Sequence, residues 1–123
     1  MKASQFHQLI HKMGEAWTNR DYDFLESVFA DDVDYYDPLR YRNRNLKELS
    51  AFFRNDPTDN ESCVMHSTIF EEERQLGAAE YTYNGHQQYH GLVYIKIVND
   101  KIAVWREYQH VNDKSWEDFI KGT

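Results

Sequence analysis

Apolar residues at Phe6, Leu9, Ile10, Met13, Ala16 and Trp17 recur at spacings of three and four. That is the stripe of an amphipathic helix. Ser4 can cap its start, and Asn19-Arg20 ends it. Asp21 can cap a second helix whose buried side is Leu25, Val28 and Phe29. Between Asp31 and Pro38 the period falls to two. Val33, Tyr35 and Asp37 then share one face of an extended segment, and Asp32, Asp34 and Tyr36 share the other. Pro38 holds Asp37 extended and closes the strand. Asn45-x-x-Glu48 has the form of a capping box, opening a third helix through Leu46, Leu49, Phe52 and Phe53. Residues 54–62 carry Asp, Asn, Pro and Thr and read as a loop.

The second half of the chain reads as a meander of four longer strands, at 64–74, 77–83, 89–98 and 101–110. Asn84-Gly85 and Asn99-Asp100 supply turn signals between them. Ser115-x-x-Asp118 can cap a short last helix carrying Trp116, Phe119 and Ile120. Helices first and strands later predict an α+β fold rather than alternating βαβ units. A sheet this long must twist. A helix laid across its curved side would leave a pocket.

The chain has 123 residues, enough for one domain over 1–123. Aromatic residues make up 15 % of it, which suits the walls of a pocket. The net charge of -7 repels phosphate backbones, so no nucleic-acid partner is expected. Arg40, Arg42 and Arg44 alternate with Tyr and Asn and read as a solvated loop or strand edge. The single cysteine, Cys63, permits no internal disulfide and fits a reducing, cytoplasmic setting. The first residues lack the apolar run of a signal peptide. No stretch nears the ~20 apolar residues of a membrane helix. Asn60-Glu61-Ser62 matches a glycosylation acceptor, a three-residue pattern that arises easily by chance. His7 and His11 stand four apart on the first helix without the Glu of a zinc-protease motif, and read as solvated. With those histidines solvated no metal is expected, and with no Gly-rich phosphate loop present no cofactor is expected either.

Three segments carry a resemblance over nearly the whole chain. They are Trp17-x-x-x-Asp21-Tyr22-Asp23, the run from Phe29 to Pro38, and Ile102-x-x-Trp105-Arg106-Glu107-Tyr108. With the order of elements, they are similar to the nuclear transport factor 2-like superfamily of SnoaL-like and ketosteroid-isomerase-like domains. The resemblance implies a cone-shaped, curved antiparallel sheet wrapped around N-terminal helices, a cystatin-like roll with a central pocket. The first two segments look like the opening of ketosteroid isomerase, where an Asp just before Pro is the catalytic base. Asp37 falls on that position. The third resembles the Trp-Arg-Asp-Tyr stretch of limonene epoxide hydrolase and the final strand of SnoaL-like cyclases, which place an acid there. Glu107 falls on it. Tyr35-x-Asp37 is similar to the Tyr-x-Asn that positions water in the hydrolase. Two departures stand out. Met13 occupies the place of the isomerase's first-helix Tyr, and Met cannot donate a hydrogen bond. The Arg-x-Asp of the hydrolase has no match, Glu80 being the nearest acid. The isomerase's second donor aligns roughly with Tyr94.

A two-residue turn at Asn99-Asp100 pairs Val98 with Lys101. An unbroken ladder from there puts Val93, Ile95 and Ile97 on one face with Ile102, Val104 and Arg106. The other face holds His90, Leu92, Tyr94, Lys96, Trp105, Glu107 and Gln109. The resemblance needs Glu107 inside, so the second face is assigned to the pocket. The apolar first face would then meet a second copy of the chain, since such domains often dimerise through the sheet.

The candidate catalytic residues are therefore Asp37 and Glu107, with Tyr35, Tyr94, Trp105, Met13, Trp17 and Lys96 around the ligand. A carboxylate in an apolar pocket has its charged form destabilised, which suits a general base near neutrality. The competing readings are a turn Asp bonded to backbone N–H groups for Asp37 and an ion pair with Lys96 for Glu107. Together these features imply a cofactor-free acid–base enzyme of isomerase, cyclase or hydrolase type, acting on a small apolar carbonyl compound. The alternative is a domain that only binds a ligand or a partner.

Overall fold

The computed structural model describes residues 1–58 and 60–123; Asp59, inside the segment read as a loop, lies outside the described residues. Helix α1 runs Ala3–Thr18 and α2 Tyr22–Val28. Strands β1 (Phe29–Asp37) and β2 (Tyr41–Asn43) precede α3 (Leu46–Arg54). Then come β3 (Ser62–Glu71), β4 (Leu76–Asn84), β5 (Gln88–Val98), β6 (Lys101–Val111) and α4 (Trp116–Lys121).

The periodicities place most of these elements well. Phe6, Ile10, Met13, Ala16 and Trp17 form the buried stripe of α1. Asp21 caps α2 through the Phe24 N–H, and Asn45 caps α3 through the Glu48 N–H at 2.9 Å. Ser115 accepts from the Asp118 N–H at the start of α4. One cap differs. Ser4 lies inside α1, and the Gln5 side chain accepts from the Lys2 N–H instead. The third strand also ends earlier than its apolar pattern suggests, because 72–75 turn the chain and Gln75 takes a φ of 55°.

The six described strands form one sheet in the order β2-β1-β6-β5-β4-β3. The pairs are antiparallel except β1 with β6, which is parallel. That parallel pair joins the helical half of the chain to the last strand. Helix α1 packs along β3, and the helices cover the concave face. Helix α4 lies on the opposite face, where Trp116 stacks on His66 at 4.0 Å and Phe119 meets His90 at 4.6 Å.

The last hairpin departs from the unbroken ladder. Asn99 and Asp100 both have positive φ and make the two-residue turn, and Val98 pairs with Lys101. Ile97 pairs with Ile102, but Lys96 pairs with Val104, so Ala103 is an extra residue on β6. A bulge of this kind shifts every later partner by one. Trp105 then sits opposite Ile95, and Glu107 opposite Val93. The inner face holds Val93, Ile95 and Ile97 from β5 together with Trp105, Glu107 and Gln109 from β6. Tyr94 and Lys96, expected in the pocket, face outward. Lys96 is exposed, and Tyr94 lies under the Arg106 guanidinium at 4.4 Å. His90 also faces outward, and it is buried by α4 rather than by the pocket.

No described helix is long and apolar enough to cross a membrane.

Candidate functional site

A cavity of about 150 Å³ opens between the end of α1, the starts of α2 and β3, helix α3 and the concave face of the sheet. Its floor is Trp105, which stacks parallel to Tyr35 at 5.9 Å and lies 5.5 Å from Trp17. Tyr41, Tyr81 and Phe53 continue the wall. Such walls exclude water and lower the local dielectric.

Glu107 lies on this cavity and is 4 % exposed. Its Oε1 accepts from the Tyr41 hydroxyl at 2.9 Å, and its Oε2 from the Tyr81 hydroxyl at 2.7 Å. The Gln109 amide donates to the same Oε2 and to the Tyr81 oxygen. Burial raises the Glu107 pKa. The hydroxyls of Tyr81, Tyr41 and Tyr35 pull against that rise, and the charge of Asp37 adds to it. The net direction is upward, because hydroxyl dipoles do not replace the hydration of a fully buried carboxylate. In turn the carboxylate holds the Tyr81 and Tyr41 phenols in their neutral, donating form. Burial, with the Glu107 charge second, pushes both pKa values well above the usual phenol value.

Gly91 makes room for this arrangement. A Cβ built there would come within 2.7 Å of Tyr81 Cζ and 2.8 Å of its hydroxyl oxygen. Gly91→Ala is therefore expected to push the Tyr81 ring off Glu107, at a cost of about 1–3 kcal/mol of stability. Losing a donor to the carboxylate raises the Glu107 pKa further. Carboxylate-carbon NMR would follow it, and an unmoved midpoint would show that Tyr81 does not hold the acid.

The other expected residues divide. Trp17, Tyr35 and Trp105 line the cavity with Glu107. Met13 is fully buried in the core beneath α1 and does not reach the lining. Asp37 is buried at the end of β1 but is not on the lining either. Its Oδ1 accepts from the Leu39 N–H at 2.9 Å, and its Oδ2 lies 4.0 Å from Arg40 Nε. This is the turn-Asp arrangement, with the charge still close enough to act on Glu107. Tyr94 and Lys96 stand on the far side of the sheet, so Lys96 cannot pair with Glu107.

A second acid on the cavity, Glu61, was hidden in the sequence. It stands in a polar stretch that reads as loop and glycosylation pattern, yet it is 4 % exposed. Tyr22 donates to it at 2.9 Å and Tyr83 at 2.5 Å, while Arg20 Nη1 approaches to 3.5 Å. Burial and this bond push the Tyr22 pKa up to about 12. The alternation of Tyr81 and Tyr83 on β4 was the available signal, since both point to the concave side. Cys63 also lines the cavity, and burial pushes its thiol pKa well up, leaving it protonated and inert. Two buried polar atoms of the site, Trp105 Nε1 and Gln109 Oε1, have no partner among the described residues. No group of three or more His, Cys, Asp or Glu in metal-binding proximity occurs among the described residues.

The chain is similar in structure to several solved proteins, at identities that show the fold alone. A protein with a cystatin-like fold from Methylobium petroleophilum superposes with a TM-score of 0.80 at 13 % identity, over 94 % of this chain and 82 % of that one. An LEH-like epoxide hydrolase of M. tuberculosis gives 0.74 at 15 % identity, over 88 % and 84 %. A protein with a ketosteroid isomerase-like fold from Catenulispora acidiphila, solved in complex with trimethylamine, gives 0.70 at 17 %, over 81 % and 83 %. No curated protein matches the sequence. The model of the SnoaL-like domain matches residues 10–105, most of the chain, and the chain belongs to that family.

Proposed function

We propose that the cavity is the active site of a cofactor-free acid–base enzyme, with Glu107 as the group that moves the proton. The observation that carries this reading is a buried glutamate on the cavity, with its pKa raised and its two oxygens aimed by Tyr41 and Tyr81. A base of this kind is desolvated and poised, and the same group protonated is an acid. The substrate is a small molecule with a carbonyl or epoxide oxygen. The indole N–H of Trp105 is free to donate to that oxygen as charge develops on it. Asp37 acts through its charge and makes Glu107 harder to ionise. The isomerase-like and epoxide-hydrolase-like neighbours support the reaction class by analogy of fold. The test compares wild type with Glu107→Gln on a panel of small ketones and epoxides, following α-proton exchange and ring opening. Turnover by wild type that the variant lacks is the expected result. Equal turnover by both would end the proposal.

One observation favours a second reading, a domain that binds without turning over. Both oxygens of Glu107 are already occupied by hydroxyl and amide donors. Saturable binding of a panel compound with no chemistry in wild type would select it.

Val93, Ile95 and Ile97 lie inside and cannot form the expected apolar dimer face, so under either reading two copies would meet instead on the outer face of the sheet, where Tyr36, Tyr94 and Tyr108 surround Arg106. A monomeric mass by light scattering would remove that dimer.

A further inference from the structure

The charge and chemistry of the cavity wall narrow the ligand. Ten of its sixteen lining residues are aromatic, and three more, Asp56, Glu61 and Glu107, are acids. No Lys, Arg or His lines it among the described residues. An acidic site for an apolar neutral molecule is unexpected, because a buried carboxylate beside apolar groups costs free energy that such a ligand cannot return.

The end of the cavity away from Glu107 is the more informative. Tyr22 and Tyr83 turn their hydroxyl protons onto Glu61, and the Tyr22 ring already carries the guanidiniums of Arg20 at 5.4 Å and Arg54 at 5.9 Å. Phe53 stacks with Tyr22 at 6.2 Å and meets Trp17 edge-on at 6.0 Å, so the rings around Glu61 form a continuous wall. Arg20 approaches Glu61 to 3.5 Å, lies over the Tyr22 ring, and is shared with the backbone carbonyls of Asp56 and Thr58. The Arg20 guanidinium thus pairs with the Glu61 carboxylate alone, and the Asp56 carboxylate on the lining has no cation of its own among the described residues. Aromatic rings beside an acid form a site for an alkylated ammonium, whose diffuse charge sits on ring faces without needing hydrogen bonds. A second observation points to an oxygen on the same molecule. Trp105 is 2 % exposed, lies next to Trp17, and its indole N–H has no partner.

We infer that the natural ligand is a small organic cation, an alkylated ammonium carrying a hydroxyl or carbonyl oxygen. Its ammonium head sits among Trp17, Phe53 and Tyr83 beside Glu61, and its oxygen accepts from Trp105 Nε1. A cavity of about 150 Å³ limits it to roughly the size of one six-membered ring. The inference rests on the cavity being the ligand site, which the proposed function shares, and not on Glu107 being catalytic.

A matched pair of probes tests it. Choline and 3,3-dimethylbutan-1-ol have nearly the same shape and differ in the charge at the branched centre. Both are titrated into the purified chain, with binding read by calorimetry and tryptophan fluorescence. The expected result is choline binding at least about tenfold tighter than the alcohol. Glu61→Gln should bring the two affinities together. Equal affinities in wild type, tighter binding of the alcohol, or no saturable binding of choline would each overturn the inference. The wild-type comparison decides alone if Glu61→Gln does not fold. Loss of turnover in Glu107→Gln with no preference for choline would sink the cation and keep the catalytic reading. A preference for choline without turnover would do the reverse.

Discussion

Glu107→Gln is expected to lower turnover by about 10²–10⁴-fold while leaving the fold intact, because glutamine fills the same space and cannot exchange a proton. Gln can still accept from one tyrosine and donate to the oxygen of the other, so Tyr41 and Tyr81 stay in place. The variant should also change how stability depends on pH. The sign follows from the direction of the shift. The Glu107 pKa is raised in the folded chain above its ordinary value of 4.5, so the native state holds the proton more tightly than the unfolded one. The resulting stabilisation is complete below the unfolded value and is lost as pH rises through the folded value. Wild type should therefore lose stability over that rise relative to Glu107→Gln. Urea midpoints measured for both across the acid-to-neutral range would show it. Parallel curves would mean that Glu107 is solvated and that the catalytic proposal has lost its physical basis.

Trp105→Ala is expected to cost about 3–5 kcal/mol of unfolding free energy. Trp105 is the hub of the aromatic core, in ring contact with Trp17, Phe29 and Tyr35. Its removal leaves a hole bounded by the sheet and by helices that cannot collapse onto it. Against a total of about 5–15 kcal/mol for a domain, the loss would bring the chain close to unfolding at ambient temperature. Trp105→Phe should cost much less. It keeps most of the apolar contact and removes an N–H that has no partner in the free protein. The same substitution should weaken binding of any ligand whose oxygen meets that N–H. A Trp105→Ala cost below about 1 kcal/mol, the centre of ordinary point mutations, would deny Trp105 its place as the hub.

Much of the architecture is written in local patterns, and two elements show why. The stripe of α1 and the alternation of β1 each refer to one element and its own period. Turning the apolar side inward then buries Phe6, Ile10 and Met13, and likewise Val33, Tyr35 and Asp37. The cap at Asn45 and the turn at Asn99-Asp100 are equally local, since side-chain bonding and positive φ are properties of a few residues. The resemblance adds the curved roll with its pocket and turns Glu107 of the last strand toward it.

The site needed contacts between distant parts of the chain. An unbroken ladder forces a choice between an apolar inner face with Glu107 outside and an inner Glu107 with the isoleucines outside. The single bulge at Ala103 removes the choice, bringing Ile95 and Trp105 to the same side. No residue type at Ala103 announces it. The reason for it lies in packing, because both the isoleucines and the indole gain by burial against α1 and α3. The same shift sends Tyr94 and Lys96 outward and leaves Glu107 to be held by Tyr41 and Tyr81, from β2 and β4. Glu61 follows the same logic. In sequence it is one polar residue in a polar stretch. Only when α1, α2 and β4 bring Arg20, Tyr22 and Tyr83 to it does burying a carboxylate there become affordable. Local periodicity thus determined which elements form and which way most of them turn. The tertiary structure decided which acids are buried and what surrounds them, because the cost of a buried charge is set by partners that the chain meets only after it has folded.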